Sequence, residues 1–291
     1  MTSTDTILSV RNLTKRFKDF TLQSVSFHLP RGYVMGFIGP NGSGKTTTLK
    51  LIMNLLRKDS GEINVFGLDH QTQSREIRER IGFVFDENHY YDELTLRDMS
   101  RIVASFYKYW DPKVFAHYIK DFDLNPKQKI KQLSKGMKMK FSLAVALSHQ
   151  AELLIMDEPT AGLDPLVRSE LLEILAALLQ DERKSVFFST HITSDLDKIA
   201  DFVTFLNNGQ IVLSSPKDDI LDNYGIVKGA QELLTPETKR LFVGLKTNNF
   251  GFEGLIRDKR SLAQSFKERV VLEKPTLEDI MIYTVKGESA C

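Results

Sequence analysis

Short apolar runs alternate along this chain with polar stretches of helical spacing. Val25, Phe27 and Leu29 share one face of a segment that halts at Pro30-Arg31-Gly32. The first forty residues alternate in the same manner, which predicts strands forming an N-terminal antiparallel β subdomain. Val34 to Ile38 is unbroken apolar sequence, and Thr46 to Leu56 has helical spacing. After Gly61, the runs Ile63 to Phe66 and Ile81 to Phe85 read as strands around a polar helix near Ser74 to Arg80. From Asp86 to Gln150 helical spacing takes over, which predicts a helical insertion. Strand signals return at Leu153 to Met156, Ser185 to Ser189, Phe202 to Leu206 and Ile211 to Leu213, with a helix expected from Leu166 to Leu179. Continuous apolar strands between helices indicate an α/β fold with a mostly parallel sheet covered on both faces. Past Pro216 the pattern breaks into shorter mixed pieces. The expected division is therefore 1–215, with a helical subdomain at about 87–150, and a small C-terminal accessory region, 216–291.

A chain of 291 residues with 42% hydrophobic content is long enough for a full core. Its net charge of +1 creates no general field toward nucleic acid or an anionic membrane. The only cysteine is Cys291, which excludes an intramolecular disulfide and points to a reducing, cytosolic setting. It lacks the residues that follow a prenylated cysteine. No apolar run approaches the roughly 20 residues of a membrane helix, and no signal-peptide core opens the chain. Any membrane role is expected to come through a partner.

The chemistry concentrates at three places. Gly39-Pro40-Asn41-Gly42-Ser43-Gly44-Lys45-Thr46, followed by Thr47, lies between the apolar run and the helix that a phosphate-binding loop requires. Glycines let successive amides turn inward toward phosphate oxygens, and the following helix adds its positive end. Lys45 is expected to reach the β and γ phosphates, and the Thr46 hydroxyl to ligate Mg2+. The run Leu153 to Met156 ends in Asp157-Glu158, which puts two carboxylates at the carboxyl edge of a buried strand, where a doubly wound sheet binds ligands. Asp157 is placed to hold the metal, and Glu158 to orient or deprotonate water. A capping role at Pro159 is the bland alternative. Ser189-Thr190-His191 ends another strand; the histidine either contacts the γ phosphate or is a satisfied loop residue.

Taken in order with Leu133-Ser134-Lys135-Gly136-Met137 and Ala161-Gly162-Leu163-Asp164, these segments resemble an ABC transporter ATP-binding subunit, a P-loop NTPase. The likeness spans roughly residues 7 to 215. It implies an ATPase, with ATP and Mg2+ as ligands, Glu158 as catalytic carboxylate and His191 as switch histidine. It implies that Ser134, Gly136 and Asp164 act across a dimer, homo- or heteromeric, with the signature completing the opposite ATP site. Phe17 falls where the family places an aromatic that stacks on adenine. A separate transmembrane permease is the implied partner, which puts the chain on the cytoplasmic face of the membrane. Pro275-Thr276-Leu277-Glu278-Asp279-Ile280 is similar to the tail of multidrug-type exporters, a pointer to export.

The chain departs from the family pattern twice. Lys135 and Met137 replace a glycine and a glutamine of the usual Leu-Ser-Gly-Gly-Gln, and Asp86, followed by Glu87, stands where a magnesium-sensing glutamine is usual. A carboxylate also ligates magnesium, so Asp86 is a metal candidate. Lysines 127, 129, 131, 135, 138 and 140 form a local basic stretch, read as a solvated face. That stretch is the feature favouring the alternative, a soluble ABC-type ATPase acting on ribosomes or nucleic acid. Among the aromatics of the insertion, Tyr90 and Tyr91 are the ones expected to be exposed.

Overall fold

The structure, a computed structural model, describes residues 6–86, 89–259 and 269–288, with side chains through 285. Glu87 and Cys291 lie outside the described residues. The chain divides into two compact units, residues 1–214 and 215–291.

The first unit opens with β1 (Thr6–Arg16) and β2 (Thr21–Pro30), then β3 (Val34–Ile38), α1 (Lys45–Ile52), β4 (Ser60–Val65) and β5 (Leu68–Asp69). After α2 (Ser74–Arg80) and β6 (Ile81–Val84) come three helices, α3 (Leu96–Ala104), α4 (Pro112–Asp121) and α5 (Lys135–Ser148). The α/β alternation resumes with β7 (Leu153–Asp157), α6 (Pro165–Leu178), β8 (Ser185–Thr190), α7 (Thr193–Ile199), β9 (Phe202–Asn207) and β10 (Gln210–Pro216). Strands β2-β1-β4-β5 form one antiparallel sheet; a second has the order β10-β9-β3-β8-β7-β6, with parallel pairing from β9 to β6.

Period-two patterning explains how the sheets meet. Met35, Phe37, Leu153, Ile155 and Phe187 leave one face of the parallel sheet and enter a single core with Ile7, Val10, Leu22, Phe27 and Leu29 of the antiparallel sheet. At its centre the Phe27 ring stacks on Phe187 at 5.4 Å, and Phe37 lies 5.4 Å from each. Two local endings differ from the periodicity. α1 stops at Ile52 rather than Leu56, because Asn54 takes a left-handed backbone (φ 53°) that ends the helix. β4 stops at Val65, because Phe66 and Gly67 (φ 57° and 77°) form the tight turn into β5.

His149 joins the helical subdomain to the sheet. Its Nδ1 lies 3.2 Å from the Val145 carbonyl, its Nε2 lies 3.0 Å from that of Ile81, and its ring stacks on Tyr107 at 3.8 Å. Tyr91 is exposed, whereas Tyr90 is not: it packs against the Phe141 ring at 5.0 Å. Burial pushes its phenol up to about 12.

The second unit holds α8 (Lys217–Asn223), β11 (Gly225–Gly229), α9 (Pro236–Lys239), β12 (Phe242–Asn248), β13 (Gly251–Ile256), β14 (Val271–Glu273) and α10 (Leu277–Glu288). Its strands form an antiparallel sheet in the order β12-β13-β11-β14, a more regular arrangement than the mixed pieces the sequence suggested. α10 lies along β12, with the Tyr283 hydroxyl donating to Glu253 and Lys246 over the Tyr283 ring.

Phe187→Ala is expected to cost about 3–5 kcal/mol in chemical denaturation, since it removes the ring shared by both sheets. Burial also holds the His149 imidazole below its ordinary 6.5, so the unfolded chain takes up that proton first. The stability this contributes is full above pH 6.5 and declines as pH falls below it. Urea unfolding at pH 7 and pH 5 should show a smaller acid loss in His149→Gln than in the native chain.

Candidate functional site

Parallel pairing carries the candidate residues to one edge. Ile38 is in register with Thr190, and Asp157 with Ser189, so the phosphate loop, the acid pair and His191 all leave the carboxyl ends of neighbouring strands. The loop between β3 and α1 curls through Gly42 and Gly44, whose φ values are 80° and 107°. A Cβ on Gly39 would sit 2.2 Å from the Leu206 carbonyl oxygen, so only glycine allows this approach to β9. Lys45 turns back over the loop: its ammonium donates to the Gly39 carbonyl at 2.8 Å and the Pro40 carbonyl at 3.3 Å, and lies 3.2 Å from Glu158 Oε1.

The two acids do different work. Asp157 is buried, accepting from the Ser189 hydroxyl at 2.6 Å and the Thr46 hydroxyl at 3.2 Å. Glu158 takes a left-handed backbone (φ 47°), a conformation that costs a residue with a Cβ about 1–2 kcal/mol. Its amide is held by the Ser189 carbonyl and hydroxyl, both at 3.1 Å. Its carboxylate thereby bridges Lys45 on one oxygen and, on the other, His191, whose Nδ1 is 2.8 Å and whose amide is 3.3 Å away. Lys45, Thr46, Thr47, Asn41, Gly42, Asp86, Glu158, Ala161 and His191 line an open cleft of about 440 Å³.

The buried Ser43 hydroxyl has no hydrogen-bond partner among the described residues. Stranding a hydroxyl costs free energy unless a ligand completes it, so the loop is built around a missing acceptor. An oxyanion held by the loop at the start of α1 fits that requirement. Thr46 and Asp157 offer adjacent hard oxygens, the donor type that magnesium takes.

Other expected residues stand further out. Ser134 caps α5 by accepting from the Met137 amide at 3.2 Å, and Gly136 packs so closely that a Cβ would lie 2.6 Å from Val167. Asp164 caps α6, accepting from the Leu166 and Val167 amides at 3.1 Å. Asp86 lines the cleft but pairs with Lys135 at 3.0 Å rather than with Thr46 or Asp157. Phe17 is exposed at the end of β1, 6.3 Å ring to ring from Phe20. Phe20 is the aromatic that lines the cleft, against Gly44.

Sequence reasoning passed over Phe20 because it lies outside the matched strand-end motif. It also passed over the brace behind the acids, where buried Asp195 accepts from Thr160 and Arg168, both at 2.5 Å, and Arg168 donates to Ser194 at 2.7 Å. A polar residue such as Asp195 in the first turn of a helix reads as surface; only burial reveals its partners.

The family model described as ABC transporter matches residues 22–161. The lantibiotic transport ATP-binding protein SrtF of Streptococcus pyogenes is 34% identical over 217 residues, which covers 73% of this chain and 92% of that protein. The chain belongs to the ATP-binding subunits of ABC transporters. The bacitracin transport ATP-binding protein BcrA of Bacillus licheniformis is 31% identical over 218 residues, covering 74% of this chain and 71% of that one. Among solved structures, cbiO1 from Clostridium perfringens, part of the ABC transporter complex cbiONQ, aligns with a TM-score of 0.66 and 25% identity, over 75% of this chain and 91% of that one. This ABC subunit is accordingly an ATP-binding ATPase whose hydrolysis is coupled to transport.

Ser189 links both acids of this ABC subunit, so Ser189→Ala is expected to lower stability by about 1–3 kcal/mol in denaturant titration. Ser189→Thr, which restores a hydroxyl, should recover part of that loss.

Proposed function

We propose that this chain powers export: two copies, or one copy and a related chain, close on two ATP molecules and drive a separate membrane permease from the cytoplasmic face. The observation carrying this reading is the continuous chain of contacts from Lys45 through Glu158 to His191, beside Thr46, Asp157 and Ser189, around a loop with a stranded hydroxyl. Lys45 neutralises charge on the transferred phosphoryl group. Thr46 and Asp157 would hold magnesium, which supplies charge neutralisation at the phosphates when bound. Glu158 orients the attacking water and accepts its proton, while His191 keeps the carboxylate aimed into the cleft. The loop amides of residues 39–47 hold the phosphates, and Phe17 offers a ring face to adenine, with Phe20 as the inner wall.

Dimer closure rests on Ser134, Gly136 and Asp164 as the groups presented to the partner ATPase. Capping geometry supports this role: the start of α5 and the Asp164 turn are both held rigid. No described helix is long and apolar enough to cross a membrane, in keeping with a separate permease. A groove of about 350 Å³ lined by Phe83, Phe85, Met99, Phe106 and Tyr107 is suited to a permease helix. The relatives' names, bacitracin transport and lantibiotic transport, and the Pro275 to Ile280 tail support export.

The lysine stretch does not favour a nucleic-acid role. Lys129 and Lys131 share Glu93, Lys138 lies 3.9 Å from Asp92, Lys140 pairs with Glu170 and Lys135 with Asp86, so four carboxylates offset four of the six lysine charges that phosphodiesters would need.

Glu158→Gln is expected to bind ATP but to hydrolyse it at least about 100-fold more slowly, and to run as a dimer in size-exclusion chromatography with saturating ATP. Turnover near the native rate would remove Glu158 from the chemistry, and a persistent monomer would remove the closed dimer.

A further inference from the structure

The two departures from the family pattern meet in space. Asp86 follows β6 and Lys135 opens α5, forty-nine positions apart, yet Lys135 Nζ lies 3.0 Å from Asp86 Oδ1. Both side chains are a little over 40% exposed, so burial does not force the contact. Exposed ion pairs are normally worth little; here three features give this one a function.

The first feature is its place. Asp86 lines the same cleft as Lys45, Thr46 and Glu158. A triphosphate entering that cleft meets the lining carboxylates of Asp86 and Glu158, with buried Asp157 against Thr46. Glu158 is offset by Lys45 at 3.2 Å, and Asp157 is tied up by the Ser189 and Thr46 hydroxyls. Asp86 has only Lys135 as ion-pair partner among its described contacts, so without that lysine its full charge would oppose the polyanion.

The second feature is the helix. A cation in the first turn opposes the helix dipole, and the first turn of α5 contains no acid of its own. Asp86, brought in from a different segment, supplies the missing negative charge. Each residue is unfavourable where the chain puts it, and each is relieved by the other.

The third feature is reach. The Lys135 side chain also crosses the turn after the acid pair: a Cβ on Gly162 would lie 3.6 Å from its Nζ and 3.8 Å from its Cδ. One flexible side chain thus spans the loop after β6, the start of α5 and the Ala161-Gly162 turn.

We infer that Lys135 is a positioning residue for the nucleotide site: it acts through Asp86, holding that carboxylate against the start of α5 and out of opposition to the triphosphate. This rests on the ATP-site reading above. The pair makes Asp86 tolerable in a polyanion cleft, and it ties α5 to the loop after β6, so that nucleotide arriving beside Asp86 is registered at the signature segment.

The test is a double-mutant cycle on the full chain, with the dissociation constant for Mg-ATP measured by titration calorimetry at low and high salt. Lys135→Met is expected to weaken binding about 5-fold at low salt, a coupling of about 1 kcal/mol, with the deficit shrinking as salt screens Asp86. Asp86→Asn alone should bind at least as tightly as the native chain. In the Asp86→Asn background, adding Lys135→Met should change binding by less than about twofold, and Lys135→Arg should bind like the native chain. A double variant as impaired as Lys135→Met alone would overturn the inference, because the lysine would then act without Asp86. Single effects that merely add would overturn it equally. Absence of Mg-ATP binding by the native chain would instead sink the ATP-site reading itself, so the two failures are distinguishable.

Discussion

Parallel pairing of β3, β8 and β7, held by a core that this sheet shares with the antiparallel sheet, constrains everything in the cleft. Because Ile38, Thr190 and Asp157 end adjacent strands, the three loops that follow have no choice but to converge. The Phe27, Phe37 and Phe187 cluster fixes the register from below: a one-residue slip of β8 would turn Phe187 out of the core and move Ser189 away from Asp157. Core packing and site geometry are therefore the same constraint seen at two ends of the strands. The strained backbone of Glu158 follows from it, since the chain must turn at once after β7 to aim a carboxylate at Lys45.

Around that framework the electrostatics are arranged by pairing rather than by net charge. The chain as a whole carries +1, and its cleft is lined by the carboxylates of Asp86 and Glu158 beside buried Asp157, an unpromising setting for ATP. Each acid, however, has a local partner: Ser189 and Thr46 for Asp157, Lys45 and His191 for Glu158, Lys135 for Asp86. The same habit recurs along the lysine stretch, where Glu93, Asp92 and Glu170 take up the cations. A charge run that looks like a polyanion site in one dimension is a set of short-range pairs in three.

These pairings also give the helical subdomain two attachments to the sheet at opposite ends of α5. His149 fastens its carboxyl end to the start of β6, and Lys135 fastens its amino end to Asp86, two residues past β6. One is buried and stacked beneath Tyr107, the other exposed and salt-sensitive.

The sequence by itself determined the strand and helix order, the phosphate loop and the acid pair, because apolar periodicity and glycine spacing are local properties that each segment carries alone. It also flagged Asp86 and Lys135 as departures, without any means of joining them. Tertiary structure decided what depends on which distant residues become neighbours: that Ser189 serves both acids, that Asp195 and Arg168 brace the turn behind them, and that Phe20 rather than Phe17 lines the cleft. It likewise decided that Tyr90 turns inward onto Phe141, and that the C-terminal pieces form an ordered antiparallel sheet. A side chain's partners across forty or a hundred positions are set by packing and burial, and neither leaves a periodic mark on the residues that end up in contact.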